Sequence, residues 1–235
     1  MNGGTFAMTN GAISGNVADC TGESGYGGGG VYMNSGTFEM ADSAISGNAA
    51  GNGGGVFVNN GTFKVSGVSV VSGNTNAVGA AANVYLPSGK EIAVDGLSVD
   101  ASIGVTTKTA PTASAPVTFA TGAAAGDGRY FTSDNPAFDV DAENGQLRLV
   151  KAPSPWQKLQ ARLDAGGTVA LAGDVTATAG DVSLVVTNAV TLDLNGHTLA
   201  FNGSKEVFAV VAGGDLSLTN RVEGAGAVTG GPCGI

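Results

Sequence analysis

Along the first hundred positions the apolar residues alternate in short bursts, each closed by Gly, Asn or Ser: Val31 and Met33, then Phe38 and Met40, then Ala44 and Ile45. A period of two predicts strands, here of about three to five residues each, separated by tight turns. The bursts recur as a phrase. Gly4-Thr5-Phe6 to Asn16, Gly36-Thr37-Phe38 to Asn48 and Gly61-Thr62-Phe63 to Asn74 each open on Gly-Thr-Phe and close on Ser-Gly-Asn. Gly28-Gly29-Gly30-Val31-Tyr32 and Gly53-Gly54-Gly55-Val56-Phe57 precede two of them, and both Val31 to Val56 and Phe38 to Phe63 measure 25 residues. Phe6 to Phe38 measures 32, and the surplus of seven lies between Asn16 and Val31, which are 15 residues apart where Asn48 and Val56 are 8 apart. One loop, 17–27, has grown while the coil has kept its length.

Strands this short cannot bury an apolar side alone, but coils stacked at about 4.8 Å pair every strand with its equivalents above and below. The pattern therefore predicts an all-β fold: a right-handed parallel β-helix, or β-solenoid, with three short strands per coil. The hand follows from the strong preference for right-handed crossovers between parallel strands. Glycine suits the corners, where positive φ is required, and Asn16, Asn48 and Asn74 are expected to tolerate left-handed geometry at one corner and to stack as a ladder.

A degraded fourth coil follows, with Asn83-Val84-Tyr85-Leu86 in place of the Gly-Gly-Val phrase and Ile92-Ala93-Val94 in place of the Phe strand. The texture then turns to Thr, Ala and Pro, and an Asn144-Gly145 turn between Phe138-Asp139-Val140-Asp141 and Gln146-Leu147-Arg148-Leu149 predicts a closing β-hairpin. Ser154 as N-cap, Pro155 at the first helical position, Trp156, Leu159 and Leu163 on one face and Gly166 as the stop predict a helix over 155–165. Beyond it Val169-Ala170-Leu171, Leu192-Asp193-Leu194 and Leu216-Ser217-Leu218, with leading residues 23 and 24 apart, predict a second solenoid capped by that helix. Three segments result: 1–103, the coils of a first β-helix; 104–151, a β-rich closing segment with the hairpin; and 152–235, the capping helix and first coils of a second β-helix. Both ends cut through repeats, which predicts a piece of a longer protein and end-to-end stacking at the uncapped coils.

Composition narrows the function classes. Forty glycines in 235 residues, a hydrophobic share of 43% and a mean hydropathy of +0.18 belong to a folded chain, and the missing Gly-X-Y period excludes collagen. Nineteen acids against ten bases leave a net charge of −9 and a pI near 4.3, without the basic footprint that binds nucleic acid. The run Val207 to Ala212, six residues, is far too short to span a bilayer. Cys20 and Cys233 stand alone, without metal-ligand or framework spacing, and the residues Met1-Asn2-Gly3-Gly4 carry no secretion signal.

The Gly-Gly-Gly-Val-Tyr, Gly-Thr-Phe and Ile-Ser-Gly-Asn phrases over 28–48, repeated in part over 53–74, resemble the right-handed β-helix repeats of large bacterial surface proteins, among them polymorphic outer-membrane proteins and adhesin-like wall proteins of gut bacteria. Thr191-Leu192-Asp193-Leu194-Asn195-Gly196-His197-Thr198-Leu199 resembles a further phrase of those gut proteins. The resemblance covers nearly the whole chain, and its shared residues are those that build coils. It implies an extracellular or cell-surface location, a non-enzymatic structural or adhesive role, and a host glycan or surface protein as the kind of partner. The sequence lacks the membrane barrel, wall-sorting tail and signal peptide of the full pattern.

Lyases and hydrolases also use β-helices, so the alternative is a polysaccharide-binding or polysaccharide-cleaving β-helix whose active coils lie elsewhere. Such grooves need clustered acids with a base, or paired carboxylates. Residues 1–100 hold only two bases, Lys64 and Lys90, and the coil equivalents of Glu39 and Asp42 are Lys64 and Gly67 or its neighbour, so no acid row forms. Asp139, Asp141, Glu143 and Gly145 invite a calcium-loop reading, but the glycine is one place late and Val150 stands at the twelfth position, so the turn explains them better. Gly213-Gly214-Asp215 reads as a corner, and the only histidine, His197, as a turn residue. No cofactor and no metal is expected. The best contact candidates are Asp19, Cys20, Glu23 and Tyr26 in the inserted loop, since solenoid insertions project from one face and carry binding in many repeat proteins.

Overall fold

The structure, a computed structural model, describes residues 1–19, 27–222, 224 and 226–230. Its contacts divide the chain into two compact units, Met1–Ala152 and Pro153–Ile235. Each is a parallel β-solenoid.

In the first unit one face stacks the strands Asn2–Thr9, Ser35–Ala41, Thr62–Gly67, Ile92–Leu97 and Val117–Thr121, all parallel. A second face stacks Ala12–Ser14, Ala44–Ser46 and Val70–Ser72, and a third stacks Val31–Met33, Val56–Val58 and Val84–Leu86. A short fourth ladder, Ala49–Ala50 against Thr75–Asn76, joins the second face to the third. The register is the one the repeat implies: Phe6↔Phe38↔Phe63↔Ile92 and Val31↔Val56↔Val84. Alternation places Phe38, Met40, Ile45, Phe63, Val65 and Val71 in a dry interior. The phenylalanines stack there, with ring centroids 5.0 Å apart for Phe6 and Phe38 and 5.1 Å for Phe38 and Phe63. Phe38 is 0% exposed and Phe6, in the first coil, 38%.

The asparagines form their ladder, but by a different geometry from the expected one. The positive φ falls on the residue before each, at Gly15 (70°), Gly47 (65°) and Gly73 (66°), and Asn48 and Asn74 turn inward and are buried. Each carboxamide donates to the next one's Oδ1: Asn16 to Asn48 at 2.9 Å, Asn48 to Asn74 at 2.9 Å and Asn74 to Asn83 at 3.0 Å. Asn83 then donates to Oδ1 of Asp134 at 2.6 Å. The same Oδ1 atoms also accept the backbone N–H of the asparagine before them, so every rung is tied twice. A carboxylate accepts and cannot donate, so Asp134 ends the row. Its other oxygen takes the N–H of Asn83 and the hydroxyl of Thr106, each at 2.8 Å. Gly104 passes beneath this terminus, where an added Cβ would stand 2.3 Å from Asn83 Nδ2 and 2.4 Å from Asp134 Oδ1.

The expected boundary at 103/104 falls inside the strand Ser102–Thr107, whose first residues pair with Val70 and Val71 and whose last pair with Val84 to Leu86. One strand thus serves two faces where the asparagine corner has disappeared, and 104–151 continues the first solenoid. The hairpin ends it: Phe138–Glu143 and Gln146–Lys151 are antiparallel about Asn144 (φ 51°) and Gly145 (φ 76°), the pair of positive φ values a type I′ turn requires. Gln146–Lys151 runs antiparallel to Val117–Thr121 and buries Leu147 and Leu149 in the core.

The second unit opens on the helix Pro155–Asp164. Ser154 and Gln157 form a reciprocal capping box, and the Ser154 hydroxyl also donates to the carboxylate of Asp181. Trp156, Leu159 and Leu163 are buried, Trp156 stacking on Phe201 at 5.2 Å. The helix also saturates the open edge of the first coil. Gln160 accepts from Val185 N–H at 2.8 Å and donates to its carbonyl at 2.9 Å, as a neighbouring strand would, while Trp156 Nε1 donates to Val182 O at 2.7 Å. Replacing Ser154 with alanine is expected to destabilise this unit by about 1 to 2 kcal/mol. Thermal melts followed by the fluorescence of Trp156, the only tryptophan, measure it, and an unchanged midpoint would contradict the role of the cap.

The coils beyond the helix stack Gly167–Ala170, Ala189–Asp193 and Asp215–Thr219 on one face, with Val175–Thr176, Thr198–Phe201 and Ala227–Gly230 on another. Their register corrects the expected one. Val169 pairs with Leu192 as read, but Leu192 pairs with Leu218, and Leu216 pairs with Val190. A slip of two residues leaves the same side chains facing inward, so alternation alone cannot exclude it.

Candidate functional site

The inserted loop springs from a fixed base. On its first stem Val17 bridges to Ala49 and the N–H of Ala18 donates to Ala49 O at 2.9 Å. On its second, Gly28 bridges to Gly53 and Gly27 O accepts from Gly53 N–H at 3.1 Å. Both stems are therefore in register with the next coil. Cys20, Glu23 and Tyr26 lie outside the described residues, as does Cys233. Asp19 is described, exposed at the end of the first stem.

Asp19 stands on the rim of a groove of about 450 Å³ whose floor is made by the short fourth ladder. Val17 and Ala18 line one side, Ala49, Ala50 and Gly51 the middle, and Asn76 and Ala77 the far side. The walls are low because the ladder is built from small residues. Val17 is 77% exposed. Chemically this is a shallow apolar trough with one carboxylate and one carboxamide at its edges, suited to holding a chain by contact and a few hydrogen bonds. The floor residues escaped the sequence reading, although the offset of 32 that links Phe6 to Phe38 also links Val17 to Ala49.

Several charged positions of the first unit are engaged in building its faces. Glu39 lies opposite Lys64, and Lys64 Nζ meets Asp95 at 2.7 Å. That hydrogen bond, more than the charge, raises the Lys64 pKa. Asp42 accepts the N–H of Val68 at 2.8 Å, turning the corner. Asp141 and Glu143 both bind the Arg148 guanidinium, and the hydrogen bond to Asp141 is the chief cause of its raised pKa. Two carboxylates of the calcium-loop reading, Asp141 and Glu143, are thus ion-pair partners of Arg148 within the hairpin, and Asp139 lies opposite Val150.

In the second unit His197 follows the Asn195-Gly196 turn, both of positive φ, and its Nδ1 lies 3.6 Å from Asp174 one coil earlier. Asp193, 4% exposed, accepts the N–H groups of Asn195 and Arg221 at 3.0 and 3.1 Å, with Arg221 Nε 3.5 Å from its other oxygen. These bonds hold one corner through stacked coils. Gly213, with φ 91°, precedes the strand Asp215–Thr219, again a corner. Among the described residues no group of three or more His, Cys, Asp or Glu is placed to hold a metal ion, and no helix is long and apolar enough to cross a membrane.

Stacked parallel coils, inward apolar columns and an asparagine ladder define the chain as a parallel β-solenoid. No protein-family model matches it, and comparison with curated proteins and with solved structures gave no match.

Proposed function

We propose that this chain is a non-enzymatic structural or adhesive segment of a bacterial cell-surface protein, a stiff stack of coils that presents a contact groove. The observation that carries this reading is the continuity of the stack. A five-member ladder from Asn16 to Asp134 and a phenylalanine column lock successive coils of the first unit in register, and the coil that gains most length, 32 residues from Phe6 to Phe38, opens its insertion at Val17, Ala18 and Asp19 on the rim of the groove. Residues that lengthen a coil without adding strand pairs lose ordering entropy without hydrophobic return, which favours a role in contact. The bacterial surface setting rests on the resemblance of the Gly-Gly-Gly-Val-Tyr and Gly-Thr-Phe phrases.

The test compares the full chain with two variants on glycan arrays and on epithelial cells. One lacks 20–26, which gives Asn16 and Val31 the 8-residue spacing of Asn48 and Val56. The other, Ala49→Gln, at the partly exposed floor residue, fills the trough. Binding by the parent that both variants lose is the expected result, and binding that survives in both removes the groove. A turnover screen on pectins, glycosaminoglycans and mucin glycans, with and without calcium, tests the alternative of a polysaccharide-cleaving solenoid. Repeatable product release would overturn the non-enzymatic reading.

A further inference from the structure

Between the strands Ser102–Thr107 and Val117–Thr121 the chain reads Lys-Thr-Ala-Pro-Thr-Ala-Ser-Ala-Pro over 108–116. Pro111 is buried, and every residue from Thr112 to Pro116 is exposed. Thr112 and Ala115 exchange backbone hydrogen bonds of 3.0 and 3.3 Å, so Ala113 and Ser114 form the tip of a two-residue turn. An anchored base and a self-closed tip hold the protrusion in one place. Nearby hydroxyls are used by the fold: Thr107 Oγ1 donates to Thr109 O at 2.8 Å, and Thr109 Oγ1 shares a 2.8 Å hydrogen bond with Ser88 Oγ. The hydroxyls of Thr112 and Ser114 have no hydrogen-bond partner among the described residues. No charged residue occurs between Lys108 and Asp127, and apart from Pro111 and Pro116 only alanines flank the two hydroxyls.

We propose that Thr112 and Ser114 are acceptors of O-linked sugar. Hydroxyl residues among Pro and Ala on an exposed, uncharged segment give a transferase unhindered access, and this composition is the one that carries O-glycans in stalk-like segments. The reaction is a substitution. The Thr112 or Ser114 Oγ attacks the anomeric carbon of an activated sugar donor, a nucleotide sugar or a lipid-phosphate sugar. The new C–O bond forms as the bond from that carbon to the phosphate oxygen breaks, the phosphate leaves with the electron pair, and the hydroxyl proton passes to a base on the transferase. The proposal does not depend on what the groove contacts.

The full chain, purified from the cells that make it, is digested with trypsin. Cleavage after Lys108 and Arg129 isolates 109–129, which contains Thr109, Thr112, Ser114, Thr118 and Thr121. Mass spectrometry with electron-transfer fragmentation is expected to place hexose or N-acetylhexosamine on Thr112 or Ser114. The increments should vanish in the Thr112→Ala, Ser114→Ala double variant, whose thermal melt should match the parent. An unmodified peptide, phosphate in place of sugar, or sugar confined to Thr109, Thr118 or Thr121 would overturn the proposal.

Discussion

Replacing Phe38 with alanine should destabilise the first unit by about 3 to 5 kcal/mol, the usual range for removing a fully buried aromatic ring. Phe38 is 0% exposed and lies between Phe6 and Phe63 in the interior column, so its removal opens a gap that the rings above and below cannot fill without leaving their own register. Glu39 is one residue further along the same strand and points outward, opposite Lys64. Glu39→Ala should change stability by no more than about 0.5 kcal/mol. Denaturant melts of the two variants beside the parent make the comparison, and equal losses would contradict the alternation on which the interior is built. Phe6→Ala should cost less than Phe38→Ala, because Phe6 already exposes 38% of its surface.

Asn74→Ala should cost about 3 kcal/mol or more, since each buried polar group left without a partner costs about 1 to 3 kcal/mol. Asn74 is buried at 0% exposure and bonds in four directions. Its Nδ2 serves Ile45 O at 2.9 Å, Ser72 O at 3.1 Å and Asn83 Oδ1 at 3.0 Å, and its Oδ1 takes the backbone N–H and the carboxamide of Asn48. Alanine strands several of these at once, in a position water cannot reach without opening the coil. Asn16→Ala, at the exposed end of the same row, should cost about 1 kcal/mol, because solvent replaces what is lost there. Urea melts of the pair measure the difference, and similar costs at the two ends would mean that the ladder is not a buried network.

The repeat made most of the first unit legible before any coordinates. Val31 against Val56 and Phe38 against Phe63 follow from one offset of 25, and a period of two says which of those side chains face inward. The capping helix and the Asn144-Gly145 hairpin were equally plain, because each is written in local chemistry: a Ser-Pro start with a spaced apolar face, and two residues that accept positive φ. The candidate groove was half legible. The arithmetic of the insertion pointed to 17–27, but the trough beside it is made of Ala49, Ala50, Gly51, Asn76 and Ala77, residues too small and ordinary to draw attention.

What the sequence by itself determined is the coil: its length, its inward columns and the elements that close its ends, all of which depend on neighbours in the chain or on one regular offset. Tertiary structure decided where regularity fails. Asn83 joins the ladder nine residues after Asn74, and Asp134 ends it 51 residues after Asn83, offsets that match no repeat. They are fixed only by which groups come within hydrogen-bonding reach once the coils are stacked. Leu218 instead of Leu216 faces Leu192 for a related reason: the two leucines lie on the same side of their strand, and the packing of whole coils, not alternation, selects between the two registers. Ser102–Thr107 spans two faces because the corner that had separated them no longer has its asparagine, and that vacancy is visible only where Gly104 lies under Asn83 and Asp134.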